Sequence, residues 1–120
     1  MTLIQYIIVR KDLMKALKWN IGAVITQCCH AVAAINEMTR DNDELTKQYL
    51  STENIDKMHK CVLGIENQEK LEELHKKLND NGVISKLWIE QPENIPTCIA
   101  LKPYEKESVQ EYFKDLKLMR

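Results

Sequence analysis

The chain has 120 residues, of which 44% are hydrophobic and 29% are charged, and its formal net charge is −1. These values predict one folded domain, residues 1–120, and exclude a protein that coats nucleic acid by bulk positive charge. A local basic cluster remains compatible with them, and Arg10, Lys11, Lys15 and Lys18 form one. No run of about 18 apolar residues occurs, so no membrane association is predicted.

The first residues, 1–5, lack the basic and small-residue features of a secretory signal. We therefore expect a cytoplasmic protein whose cysteines, at positions 28, 29, 61 and 98, remain reduced thiols. Their spacing matches no zinc site, so no metal is expected. The three glycines are too far apart for a phosphate-binding loop or a dinucleotide fingerprint, and we expect no cofactor.

The first half of the chain is predicted to form a strand, two helices and a second strand. The apolar run Leu3–Arg10 indicates a buried strand, and the small and apolar residues of Ile21–Ile35 indicate a helix packed against it. A short helix is predicted over Leu45–Leu50. The second strand is predicted over His59–Ile65.

The second half is predicted to form a helix, two strands and a last helix. Asn67 is placed to cap a helix with leucines at positions 71, 74 and 78. Strands are predicted over Val83–Glu90 and Thr97–Lys102, joined by the two-proline loop Gln91–Pro96. The last helix is expected to bury one apolar face, formed by Val109, Tyr112, Phe113 and Leu116.

This order predicts a three-layer α/β/α domain with a mixed four-stranded sheet. Helices separate the first three strands, which favours right-handed parallel crossovers between them. The short loop before the fourth strand makes that last strand antiparallel.

Two polar residues, Gln27 and His30, interrupt the long apolar helix. At roughly 100° per residue they are neighbours on the shoulder of its apolar stripe. A histidine in such a position is commonly structural, so spacing alone leaves that alternative open. Cys28 and Cys29 point in other directions and do not fit a nucleophile–base pair with His30.

Three motifs follow one another near the start of the chain: Val9-Arg10, Asp12-Leu13 and Gln27-Cys28-Cys29-His30-Ala31. They resemble the opening of the type 2 (archaeal and eukaryotic) peptidyl-tRNA hydrolases, a strand ending in Val-Arg-x-Asp followed by a helix with Gln-x-x-His-Ala. The resemblance continues at Lys60–Leu63 and Thr97–Pro103. Segment Gln91–Leu101 further resembles a divergent branch, the peptidyl-tRNA hydrolase domain-containing proteins.

The resemblance implies a metal-free hydrolase that cleaves the ester between a peptide and the terminal ribose of tRNA. It implies peptidyl-tRNA or tRNA as the partner and a homodimer as the assembly. By position, Gln27, His30 and Thr97 correspond to catalytic residues of the family. His30 is of the right type for a base, and Gln27 for positioning the peptide or the water.

The chain departs from the family at several places. The lysine that typically precedes the motif glutamine by four residues is Ala23 here, and the Asp-Ala-Gly loop between the last two strands is absent. Two functions therefore stay open: a working hydrolase with a rearranged site, and a non-catalytic member that binds tRNA or a protein through the same cleft.

Four further residues are candidates for substrate binding. Lys15 and Lys18 are expected at the rim of the site, where they could contact tRNA phosphates. Trp19 is the better candidate for stacking on the terminal adenine, because Trp88 lies in an apolar strand and is expected to be buried. Glu93 is the acidic residue nearest to the missing aspartate.

Overall fold

The structure, a computed structural model, describes residues 2–120, so Met1 of the predicted domain lies outside it. The strands are β1 (Leu3–Arg10), β2 (Lys60–Ile65), β3 (Ser85–Glu90), β4 (Ile95–Leu101), β5 (Tyr104–Glu105) and β6 (Lys117–Leu118). The helices are α1 (Asp12–Lys15), α2 (Ile21–Thr39), α3 (Glu44–Tyr49), α4 (Gln68–Asp80) and α5 (Lys106–Val109). Short 3₁₀ turns occur at Ile55–Lys57 and Gln110–Phe113.

The strands form one mixed sheet in the order β3-β4-β1-β2-β6, and β5 pairs with the beginning of β1. β1 and β2 are parallel, whereas β4 is antiparallel to both β1 and β3. The mixed sheet and its antiparallel β4 confirm the prediction. The predicted count of four strands is wrong, because β5 and β6 add two more. Each has two residues, which is too short to produce a periodic pattern in the sequence.

Helices cover both faces of the sheet because residues of β1 alternate between two apolar clusters. Ile7 and Val9 face α2 and belong to one cluster with Leu13, Val24, Ala31, Ile35, Cys98 and Ala100. Tyr6 and Ile8 belong to the opposite cluster, which contains the leucines of α4 together with Val109 and Phe113. The predicted three layers are therefore present.

Side-chain caps fix where the two long helices begin. Asn20 accepts a hydrogen bond from the N–H of Ala23 at 2.8 Å, at the start of α2. Asn67 accepts one from Lys70 at 2.9 Å, which confirms its predicted capping role. The last helix differs from the prediction, because it divides into α5 and a 3₁₀ turn that still bury Val109 and Phe113.

Within residues 2–120, no helix is long and apolar enough to cross a lipid bilayer. The same part of the chain holds no group of three or more His, Cys, Asp or Glu side chains arranged to bind a metal ion.

A buried ion pair connects α3 to the end of β4. Lys102 is only 3% exposed, and its Nζ lies 3.1 Å from the carboxylate of Asp43 and 3.7 Å from the centre of the Tyr104 ring. Burial raises the pKa of Asp43, but hydrogen bonds from Thr46 and the neighbouring Lys102 outweigh it, so the pKa is lowered overall. The carboxylate is therefore held in its charged form in the folded protein.

We expect the ion pair to make the free energy of unfolding depend on pH in the acidic range. Because the pKa of Asp43 is lower in the folded state, its stabilisation is complete above the unfolded pKa of about 3.9 and is lost as the pH falls through the folded value. Asp43→Asn should lower the free energy of unfolding at pH 7 by about 2–4 kcal/mol, since it leaves Lys102 buried without a counter-charge. Urea unfolding between pH 3 and 7 measures both effects.

The control is Asp41→Asn, because the Asp41 side chain is 93% exposed and lies 3.9 Å from Arg40. It should change stability by less than about 0.5 kcal/mol. Equal pH profiles for Asp43→Asn and the wild type would contradict the assignment.

Candidate functional site

Gln27 and Thr97 meet at the interface between α2 and β4. The hydroxyl of Thr97 donates a hydrogen bond to Oε1 of Gln27 over 3.1 Å. Both residues are enclosed, with exposures of 2% for Gln27 and 0% for Thr97. The structure therefore brings together two residues that are 70 positions apart and that the sequence predicted to share a site.

This bond determines which way the Gln27 carboxamide points. Because Oε1 accepts from Thr97, the Nε2 group is directed away from the hydroxyl. Within residues 2–120, Nε2 has no hydrogen-bond partner, and it is not among the polar atoms that are both fully buried and unpaired. The amide N–H is thus available to a ligand oxygen that approaches α2.

His30, the third predicted residue, is exposed and packs on an aromatic ring. Its imidazole lies 4.7 Å from the ring of Trp88, centre to centre, with 13° between the planes. Side-chain hydrogen bonds of this corner, such as those from Thr97 to Gln27 and from Trp88 to Glu90, do not involve His30 among the described residues. The ring-edge nitrogens of His30 are consequently open to solvent.

Trp88 is half-buried, and its indole N–H donates to Glu90 over 3.2 Å. The pairing of β3 with β4 shifts register between Trp88 and Ile89. Thr97 is the extra residue of β4 at this shift, because Trp88 pairs with Cys98 and Ile89 pairs with Pro96. Trp88 faces α2 together with its partner Cys98 and stacks on His30, a contact that its apolar sequence neighbourhood did not indicate.

Arg10 is buried at the same edge of the sheet, where its side chain bonds to other segments of the chain. It is 5% exposed, and its guanidinium makes two 2.9 Å contacts with the carboxylate of Asp12. It also donates to the carbonyl of Pro96 over 2.9 Å, one residue before Thr97. The sequence placed Arg10 in a local basic cluster with three lysines, whereas the structure buries its side chain. Its short spacing to Asp12 was the available signal.

The other predicted binding residues do not contact the Gln27–Thr97 pair. Lys15 and Lys18 are exposed in and after α1, and Lys18 has a φ of 62°. Trp19 is half-buried and packs against the apolar cluster beneath α2. Glu93 is exposed in the turn between β3 and β4. Among the described residues, none of these four shares a hydrogen bond or ion pair with Gln27, Thr97 or His30.

Cys98 supports the site without the properties of a nucleophile. Its Sγ lies 3.4 Å from the backbone carbonyl of Gln27, to which the thiol donates. The neighbouring Cys28 thiol and complete burial both raise the pKa of Cys98. A protonated, enclosed thiol is unreactive, so Cys98 serves to pack β4 against α2.

The start of α2 offers an anion fewer free backbone donors than an uncapped helix would. The N–H groups of residues 21–23 are those that a helix start presents to a phosphate or an oxyanion. The N–H of Ala23 already donates to the side chain of Asn20. The cap therefore takes one of the three backbone donors, and the amide N–H of Gln27 is a further donor at this interface.

The sequence comparisons agree with this arrangement of strand, helix and motif. A family model described as "Peptidyl-tRNA hydrolase PTH2" matches residues 3–119. The chain belongs to the type 2 peptidyl-tRNA hydrolase family. Proteins named "Putative peptidyl-tRNA hydrolase PTRHD1" from Mus musculus and Homo sapiens are each 42% identical over 119 residues, which cover 98% of this chain and 83% of theirs. The resemblance seen in the sequence is thereby confirmed.

Membership of the type 2 family makes the Thr97–Gln27 bond the first target for substitution. Thr97→Val preserves shape but removes the donor and leaves Oε1 of Gln27 buried without a partner. We expect the free energy of unfolding to fall by about 1–3 kcal/mol. Thr97→Ser retains the hydroxyl and should recover part of the loss. Urea denaturation checks this, and a Thr97→Val protein as stable as the wild type would contradict the bond.

Proposed function

We propose that this protein hydrolyses the ester that joins a peptide to the terminal ribose of tRNA. The observation that carries the proposal is the free amide N–H of Gln27, held in place by Thr97 and lying one helical turn from His30. Its membership of the type 2 peptidyl-tRNA hydrolase family supports the substrate class.

In the proposed reaction, an imidazole nitrogen of His30 removes a proton from water, and the water oxygen attacks the ester carbonyl carbon. The negative charge that develops on the carbonyl oxygen accepts a hydrogen bond from Nε2 of Gln27. The tetrahedral intermediate then collapses, the bond to the ribose oxygen breaks, and the imidazolium returns its proton to that oxygen. The products are a peptide with a free carboxyl group and intact tRNA.

Thr97 acts as a positioning residue in this scheme. A carboxamide that is free to rotate would present its oxygen to the developing oxyanion for part of the time, which would repel it. The Thr97 hydroxyl donates its hydrogen bond to Oε1 of Gln27, so the amide keeps its N–H toward the substrate. The exposed Lys15 and Lys18 supply positive charge at the rim for tRNA phosphates.

A non-catalytic tRNA-binding member of the same family is the second candidate. Ala23 stands where the family typically has a lysine, and the exposed Glu93 has no contact with Gln27 or His30. Among residues 2–120, no acidic side chain is hydrogen-bonded to the imidazole of His30, which favours binding without turnover.

Single-turnover hydrolysis of a defined peptidyl-tRNA tests the first candidate. Gln27→Ala should lower the rate about 100-fold because it removes an oxyanion donor. His30→Ala should lower it by about 100-fold or more because it removes the base. Thr97→Val should lower it about tenfold through misplacement of the amide, and Thr97→Ser should restore most of the rate.

The same preparation distinguishes the two candidates. A wild-type rate no higher than that of buffer, together with tRNA binding that weakens in Lys15→Ala/Lys18→Ala and loses salt dependence, would support the binding member. Absence of both hydrolysis and tRNA binding would reject both functions. Exposed Lys76 on α4, paired with Asp80, supplies the control substitution Lys76→Ala.

We also propose that the protein is a cytoplasmic homodimer. Two isoleucines on the outer side of α2 support the assembly, since Ile21 is 66% exposed and Ile25 is 55% exposed. They border an apolar cleft of about 310 Å³ that includes Met14, Val62 and Met119. Large apolar side chains grouped on a surface are typical of a contact between proteins.

Light scattering at micromolar concentration should therefore give the mass of two chains. Ile25→Lys should shift the protein to a monomer, because it introduces a charge into the apolar contact. Leu118→Lys is the control, since Leu118 is 60% exposed on β6 and does not line the cleft. A wild-type monomer at every concentration would exclude the dimer.

A further inference from the structure

The stacked rings of His30 and Trp88 present more aromatic surface than a general base requires. The two ring centres are 4.7 Å apart and the planes differ by 13°, so one face of the imidazole rests on the indole. His30 is nevertheless exposed, which leaves its opposite face to solvent. An aliphatic side chain would pack α2 onto β3 equally well, but it would not present a flat aromatic surface.

The pair is held rigidly, which favours a role in binding. Trp88 is fixed by its hydrogen bond to Glu90 and by partial burial against the apolar cluster beneath α2. His30 lies in the middle of a helix that extends from Ile21 to Thr39. A ligand that stacks on this surface therefore immobilises little additional chain.

The pair also adjoins the proposed reaction site. The hydroxyl of Thr97 lies 3.4 Å from the backbone carbonyl of Trp88 and 3.1 Å from Oε1 of Gln27. His30 follows Gln27 by three residues on α2, so both side chains project from the same shoulder of the helix. A base stacked on His30 would consequently have its own ribose close to the amide of Gln27.

We propose that the exposed face of His30 binds the terminal adenine of tRNA, with Trp88 as the layer beneath. This inference rests on the proposed function, because the adenosine that carries the ester is the nucleotide that enters the site. Unpaired bases stack on aromatic side chains in protein complexes with single-stranded ends. The base uses the face of the imidazole, and the ring-edge nitrogens stay free to contact water.

Trp19 does not offer an equivalent surface. It is half-buried, it packs against the cluster beneath α2, and its backbone N–H donates to Leu13 over 2.8 Å. The structure therefore favours the His30–Trp88 pair over the tryptophan that the sequence favoured for this role.

The test compares the affinity of the protein for a tRNA with its complete 3′ end and for the same tRNA lacking only the terminal adenosine. The wild type should bind the complete tRNA about tenfold more tightly, as expected for one stacked base. His30→Ala should bring the ratio of the two affinities, complete tRNA to shortened tRNA, close to one. His30→Phe keeps an aromatic face and should retain the ratio, and Trp88→Leu should reduce it.

Hydrolysis by the same variants separates this inference from the proposed function. His30→Phe should be inactive while it still distinguishes the two tRNAs, because it keeps the face and loses the base. A wild type that distinguishes them without hydrolysing the ester would refute the hydrolase and leave the stacking site standing. His75→Ala, on α4 at the opposite face of the sheet, is the control and should leave the ratio unchanged.

An unchanged ratio in a folded His30→Ala protein would overturn the inference, as would a wild-type ratio of one. His30 is exposed, so its substitution is not expected to unfold the domain. Thermal unfolding of each variant verifies this, and the result from His30 decides the question even if Trp88→Leu fails to fold.

Discussion

The buried guanidinium of Arg10 is the contact on which the functional edge of this protein depends. It joins the end of β1 to the carboxylate of Asp12 at the start of α1 and to the carbonyl of Pro96 at the start of β4. A guanidinium removed from water is costly unless its hydrogen bonds are satisfied, so these partners hold one another in a single geometry. Thr97 follows Pro96 directly, and the orientation of the Gln27 amide depends on Thr97. The buried charge of Arg10 thus helps to fix the position of the Gln27 amide N–H.

Much of the fold was predictable because most long elements carry their own local signals. The apolar run of β1, the periodic leucines and Asn67 cap of α4, and the short connection before β4 each placed an element correctly. The prediction was wrong where structure depends on partners distant in sequence. β5 and β6 are strands only because β1 and β2 offer free edges to two-residue segments. The last helix divides because burial of Val109 and Phe113 against the sheet determines its path more than helical periodicity does.

The candidate site was only partly accessible from the sequence. The family motif indicated Gln27, His30 and Thr97, but it contained nothing about the direction of an amide or the accessibility of an imidazole face. Those properties follow from the Thr97 hydrogen bond and from the stacking of His30 on Trp88, which are tertiary features. Arg10 was visible in its motif but was assigned to the surface, because an arginine beside lysines resembles a solvated cluster. Its burial follows from Asp12 and Pro96, and the latter contact spans 86 positions.

The β3–β4 hairpin carries Trp88 on one strand and Thr97 on the other, and this arrangement has a consequence for how the protein can vary. Side chains of a strand alternate between faces, so a slip of β3 by one residue against β4 would turn the indole toward α4 while Thr97 stayed beneath α2. The stacked rings and the oriented amide would then lie on different faces of the sheet without any change at Trp88 or Thr97. The length of the turn at residues 91–94 therefore decides, by whether it is odd or even, that both side chains face α2.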